Sequence, residues 1–239
     1  MLRHLTLTRT LLGTLALIVL AFVITFLYAM SIKSTTERFI RDLAALRVGE
    51  SGFSDVEQIV SSYQRYQSDI GGDFVYSRGK IVADGTPCTA DRCGVAFRIT
   101  NGLFGKLKLV PSAECGAFIM VRQGRVKNIS LYLRREMMGS LEEYKIYPPE
   151  MANFPPYYPH LPTVGDPSLT VFLNAAATPN QRRNAYDLNA SCMVRLTACG
   201  QACDYLPLAW QDWKGQAERN GFDEKKLKFV FPNFQKCPQ

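Results

Sequence analysis

Histidine is nearly missing from this chain. Of 239 residues, only His4 and His160 carry an imidazole, and the longest apolar run lies between them. That scarcity removes the commonest general base and the commonest zinc-binding nitrogen together. Sequence patterns that mark catalytic or nucleotide-binding loops are missing too: there is no G-x-S-x-G, G-x-x-x-x-G-K-[ST], G-x-G-x-x-G or H-E-x-x-H. No C-x-x-C occurs, which argues against a thioredoxin-like redox pair. Like charges form no run, and no recognition motif is visible, so nucleic acid is not an expected partner. No repeat stands out. The expectation is therefore no catalytic constellation, no metal site and no cofactor.

Two short matches need weighing against that expectation. Ser77-Arg78-Gly79-Lys80 has the S-x-x-K spacing of serine–lysine acyl enzymes. It falls on an expected hairpin turn, where water would keep the lysine charged, so it reads as a chance match. Glu142 and Glu143 are adjacent rather than convergent and read as solvated. An extracytoplasmic hydrolase remains the alternative to a binding protein.

What the chain does have is twenty residues without a charge, Leu11 to Met30, "LLGTLALIVLAFVITFLYAM". As a helix this run spans about 30 Å, the thickness of a bilayer's hydrocarbon core. The exit "LYAMS" lacks the small-x-small pattern of a signal-peptidase site, so an uncleaved anchor is expected. Arg3 and Arg9 precede the run, and Lys33, Arg38 and Arg41 follow it, so local charge leaves the orientation open. All seven cysteines follow the run. Disulfides persist in oxidising compartments, so this distribution favours a cytoplasmic N-terminus and a periplasmic or extracellular domain. The expected layout is a cytoplasmic tail at 1–10, a single-pass transmembrane helix at 11–30 and an extracytoplasmic domain at 31–239. All the acidic residues, and all the basic ones but Arg3 and Arg9, follow Met30. They leave that portion about +5, a dispersed excess suited to solubility and weak attraction to an anionic membrane.

The outer portion reads as α+β. Ser34-Thr35-Thr36-Glu37 has the spacing of a capping box and predicts a helix with Phe39, Ile40, Leu43 and Leu46 on one face, stopped by Gly49. Ser54-Asp55-Val56-Glu57 predicts a second, with Val56, Ile59, Val60 and Tyr63 inward, ended by Gly71-Gly72. Three hairpins follow, turning at Arg78-Gly79, Asn101-Gly102 and Gln123-Gly124. In the last of them Val126 has the wrong parity against Ile129, Leu131 and Leu133, which a bulge near Lys127 would reconcile. From Glu136 the alternation breaks. Seven prolines lie between Pro148 and Pro167, predicting an extended connection (148–167) rather than a helix or a central strand. "SLTVFL" predicts another strand, Thr178-Pro179 a capped helix start, and 188–197 a strand leading into a helix around 201–205. A helix over 210–220 and a last strand at "KLKFVF" complete a meandering antiparallel sheet with short flanking helices.

The cysteines are Cys88, Cys93, Cys115, Cys192, Cys199, Cys203 and Cys237. Zinc would need two close pairs, and the spacings C-x4-C and C-x3-C are not the usual ones. Disulfides fit better. Cys88 with Cys93, and Cys192 with Cys199, bracket short loops that could each close locally, although spacing alone does not fix connectivity. Cys115, Cys203 and Cys237 are left unassigned, enough for one long-range bridge and one free or intermolecular thiol.

The segments "CTADRCGVAFRITNGLFGKLKLVPS", "VRQGRVKNISLYL" and "CMVRLTACGQACDYLPLAW" resemble a family of bacterial single-pass membrane proteins of the acidobacterial kind, to which no activity is assigned. The resemblance covers most of the outer portion. It implies an N-terminal anchor, a C-x4-C before a strand pair and a C-x6-C before a leucine–proline segment, and Cys88, Cys93, Cys192 and Cys199 match. "LAALRVGESGFSDVEQIV" followed by a meander is similar, over the first half only, to the helix–helix–sheet module of BamE/SmpA outer-membrane assembly proteins. The expected role is a non-catalytic binding or envelope-associated protein. Its partners would be the membrane, through a single helix, and an envelope protein. Phe154, Tyr157 and Tyr158 offer a contact surface.

Overall fold

The computed structural model describes residues 2–77, 80–103, 113–137, 140–147, 157–160, 170–173, 178–194, 202–205 and 207–212. It opens on one unbroken helix, α1 (Leu2–Ala45), of 44 residues, about 66 Å long at 1.5 Å per residue. The break expected at Ser34 does not occur, and the Ser34–Glu37 spacing lies inside the helix. Neither glycine nor proline interrupts the chain from Met30 to Ala45. Extending a formed helix gains a hydrogen bond for each residue fixed, whereas a restart needs a new, costly nucleus.

The two halves of α1 meet different surroundings. Leucine, isoleucine, valine and phenylalanine side chains from Leu12 to Leu27 are exposed, whereas Ile32, Phe39, Ile40 and Leu43 are buried. Past α1, Gly49 turns the chain at φ +83° and donates its N–H to the Val126 carbonyl at 2.8 Å. Helix α2 (Phe53–Tyr63) begins slightly ahead of the expected cap at Ser54. Gly52 occupies the cap position, and its N–H donates to Asp55 Oδ2 at 2.8 Å. Val56, Ile59 and Tyr63 point inward as their spacing predicts. Phe39 meets the Tyr63 ring edge-on at 4.9 Å and the Phe97 ring at 5.4 Å.

Among the described residues nine strands follow: β1 (Gln67–Gly71), β2 (Phe74–Ser77), β3 (Lys80–Ala83), β4 (Arg92–Thr100), β5 (Ala113–Arg122), β6 (Arg125–Met137), β7 (Ser140–Tyr147), β8 (Tyr157–His160) and β9 (Thr170–Leu173). Seven form one sheet in the order β1-β4-β5-β6-β7-β9-β8, and β2 and β3 pair separately. Every pairing is antiparallel except β7 with β9. The fold is thus mixed helix and largely antiparallel sheet, as expected, with one parallel step.

The third hairpin is as its pattern predicts. β5 and β6 turn at Gln123-Gly124, both at positive φ. Met120 pairs with Asn128 and Val121 with Val126, leaving Lys127 as the bulged residue. The second hairpin differs. Its first strand, β4, pairs with β5, with Thr100 opposite Glu114, and 104–112 lie outside the described residues. Helix α2 stops at Tyr63, short of the Gly71-Gly72 end its pattern predicts, and β1 takes up the remainder, pairing with β4; β7 is an additional strand. Residues 190–193, expected as strand, form a 3-10 turn. Thr178 caps the helix α3 (Pro179–Ala185) and accepts a hydrogen bond from the Gln181 N–H, as expected. Helix α4 (Ala202–Tyr205) also forms. Pro207 begins a further helical segment at 207–212. The expected "KLKFVF" strand lies outside the described residues.

Helices α1 and α2 cover the central strands. Val95, Phe97 and Ile99 of β4, Cys115, Ala117 and Ile119 of β5, and Ile129, Leu131 and Leu133 of β6 complete one buried cluster with Phe39 and Leu43. Its two ends are distinct. The Gln123-Gly124 turn lies beside Gly49 and Gly52, just past the end of α1. The Asn101–Ala113 end lies beside the middle of α1, where the Tyr28 hydroxyl accepts a hydrogen bond from the Leu103 N–H at 3.3 Å.

Candidate functional site

Tyr157 and Tyr158 fall on β8, the last strand of the seven-stranded sheet. Among the described residues β8 has β9 on one side and no strand on the other. A four-residue strand holding Pro159 suits an edge, because proline has no N–H to donate to a neighbouring strand. Phe154, the third residue of the expected contact surface, lies outside the described residues.

Ser77 and Lys80 are the closing pair of the β2–β3 hairpin, directly opposite one another in register. The hairpin stands apart from the seven-stranded sheet and is tied to it by charge. The Asp73 carboxylate pairs with the guanidinium groups of both Arg92 and Arg122, and Arg122 also donates to the Gly72 carbonyl at 2.8 Å. Asp84 accepts hydrogen bonds from the Thr86 hydroxyl and N–H, which hold its carboxyl below the usual range. Gly72 sits against the Thr86–Pro87 chain so closely that a Cβ would come within 2.8 Å of the Pro87 carbonyl. These groups are arranged as a joint between hairpin and sheet.

Two open clefts flank the end of α1. One, of about 460 Å3, is lined by Arg41, Arg47, Arg182, Arg183 and Glu50. Arg47 is engaged by Glu50 at 3.1 Å, and Arg41 lies 4.0 Å from Asp42. The other, of about 430 Å3, is lined by Asp42, Asp55, Ser51 and Ser62. Neither lining brings a histidine or cysteine to a serine. Among the described residues no group of three His, Cys, Asp or Glu side chains is placed to hold a metal ion.

The cysteines sort by environment. Cys88 and Cys93 form a disulfide with a Cα–Cα distance of 4.5 Å, the pairing their short loop suggested. It closes the loop that leads into β4. Cys192 and Cys203 are each engaged in a disulfide, and the Cys192 sulfur lies 3.4 Å from the Asp204 carbonyl. Cys199, expected opposite Cys192, lies outside the described residues, as does Cys237. Cys115 is the free thiol among the described residues, and it is fully buried in β5 between Ile99 and Leu133 of the neighbouring strands. Burial, and to a lesser degree the Glu114 carboxylate, push this thiol up to about 12. A thiol so placed is no nucleophile at neutral pH and is not exposed for a bond to a second chain.

This sorting predicts a labelling pattern. The native protein should take up no thiol reagent. Denatured without reductant it should take one label, at Cys115, and after reduction all seven cysteines should react. Intact mass reads the count. A second label before reduction would break the expectation of three disulfides and one spare thiol.

Sequence reasoning missed one residue that positions this end of the sheet. Asn101 is fully buried. Its Nδ2 donates to the Met193 carbonyl at 2.9 Å, and its Oδ1 accepts from the Ala113 N–H at 2.9 Å. The asparagine was read as a turn residue. Its actual role is a clamp between β4, β5 and the 3-10 turn at Ala190–Met193, a use that Asn-Gly does not signal locally. No family model, no curated protein and no solved structure matches the chain.

Proposed function

We propose that this protein is a membrane-tethered, non-catalytic binding domain of a bacterial envelope, standing on the periplasmic or extracellular face of the inner membrane. The observation that carries this reading is the division of α1. Its first part is exposed and is long and apolar enough to cross a bilayer. Its second part belongs to the domain core. The Cys88–Cys93 disulfide supports the oxidising side of the membrane. The resemblance to acidobacterial single-pass proteins, with its two cysteine spacings, points the same way.

The contact surface in this reading is the β8 edge with Tyr157 and Tyr158. An edge strand can take up an added strand through its backbone N–H and C=O groups, and tyrosine is enriched at such contacts. The partner is an envelope protein presenting an extended segment. A photoreactive phenylalanine analogue placed at Tyr158 of the full chain in membranes tests this. A discrete adduct of higher mass is expected there and none from the same analogue at Glu57, exposed on α2. Indistinguishable adduct patterns at the two positions would remove the β8 edge as a binding surface.

A further inference from the structure

We infer that the chain touches the bilayer at a second place, the root of the β4–β5 connection at Leu103, which inserts into the lipid interface beside α1. This rests on the reading of α1 as a membrane anchor. Tyr28 lies two residues before the end of the uncharged run, one turn or so below Lys33, the first charge above the bilayer. Helical side chains tilt toward the helix N-terminus, here toward the membrane, so the Tyr28 hydroxyl sits at or below the level of its own Cα. The Leu103 N–H donates to that hydroxyl. Leu103 is thereby held at the depth of the last apolar turn, and its own side chain remains 41% exposed.

The placement is rigid because the root of the connection is clamped. Asn101 is buried, with its amide bonded to both Ala113 and Met193, and the Asn101 N–H donates to the Ala113 carbonyl at 3.1 Å. In water, an exposed leucine beside a tyrosine is unremarkable. At the height set by Tyr28 both meet lipid, where tyrosine is enriched at the headgroup level and leucine gains by leaving water. The ligand is the lipid surface itself. The consequence is a domain seated flush against the membrane and limited in its freedom to swing about the helix.

The unaltered full chain in vesicles containing a lipid with a diazirine in its acyl chain tests this directly. After illumination and trypsin digestion, adducts are expected on α1 between Leu12 and Met30 and also on the peptide 99–106, which contains Leu103. The peptide 48–65, which contains α2 at the far end of the sheet, should stay unlabelled. Adducts on α1, with 99–106 labelled no more than 48–65, would overturn the second contact and leave the anchor standing. Absence of adducts on α1 as well would overturn the anchor reading itself.

Discussion

Replacing Phe39 by alanine should cost the domain about 3–5 kcal/mol, the range for truncating a fully buried phenylalanine. Phe39 has no exposed surface and is the meeting point of three elements. It packs edge-on against Tyr63 of α2 and Phe97 of β4, so its loss opens a cavity where both helices meet the sheet. Tyr63 does more than fill space, because its hydroxyl donates to Asp42 Oδ2 at 2.6 Å across the α1–α2 contact. Burial, reinforced by this hydrogen bond, keeps the phenol protonated well above its ordinary range. With stabilities of small domains near 5–15 kcal/mol, a loss of this size is a large share of the total. Denaturant unfolding of the full chain in micelles, followed by near-ultraviolet circular dichroism, reads the shift. Phe22→Ala is the matched control. Phe22 lies on the same helix but is 72% exposed, so the domain's unfolding midpoint should not move. Equal effects at both positions would contradict the division of α1 into an exposed half and a core half.

The second large effect comes from proline. Thr35→Pro removes one hydrogen bond within α1 and forces the proline ring against the preceding turn, which costs about 3 kcal/mol or more inside a helix. The same substitution separates two structures sharply. Were a new helix to begin at Ser34, residue 35 would be its first position, where proline is favoured. The variant would then be neutral or stabilising. Because α1 runs unbroken through this point, Thr35→Pro should lower both helicity and domain stability, whereas Thr35→Ala should change them little. An unperturbed Thr35→Pro protein would show that the helix breaks where the Ser34–Glu37 spacing suggests.

That position also shows where reading residues in order falls short. A capping spacing is a local signal worth a kilocalorie or so. Nothing nearby tells the reader that Ile32 and Thr36, on either side of it, are both buried, so that the helix is held by contacts with distant strands. β7 was illegible for a related reason. Its sequence carries Glu142, Glu143 and Lys145 among apolar residues, and sense appears only in register, where Glu143 is the partner of Arg134 and Glu142 of Arg135 on β6. The features that were legible depend on short-range geometry. The Gln123-Gly124 turn, the parity slip that requires a bulge at Lys127, the Thr178 cap and the Cys88–Cys93 loop each need only a few neighbouring residues. The contacts proposed to matter most for function are of the other kind. Leu103 reaches Tyr28 and Asn101 reaches Met193, and no periodicity links residues so far apart in the chain.

The proposed arrangement is a domain outside the cytoplasm, carried on a helix that crosses the membrane. The composition provides a clean way to ask, because every lysine of the chain follows Met30. Spheroplasts of a bacterial host expressing the full chain would be treated, sealed and then permeabilised, with an amine reagent that cannot cross membranes, and the labelled lysines located by peptide mass. Lysines such as Lys33 and Lys127 should be modified in sealed spheroplasts as fully as after lysis. Modification only after permeabilisation would put the domain in the cytoplasm and overturn the proposed topology.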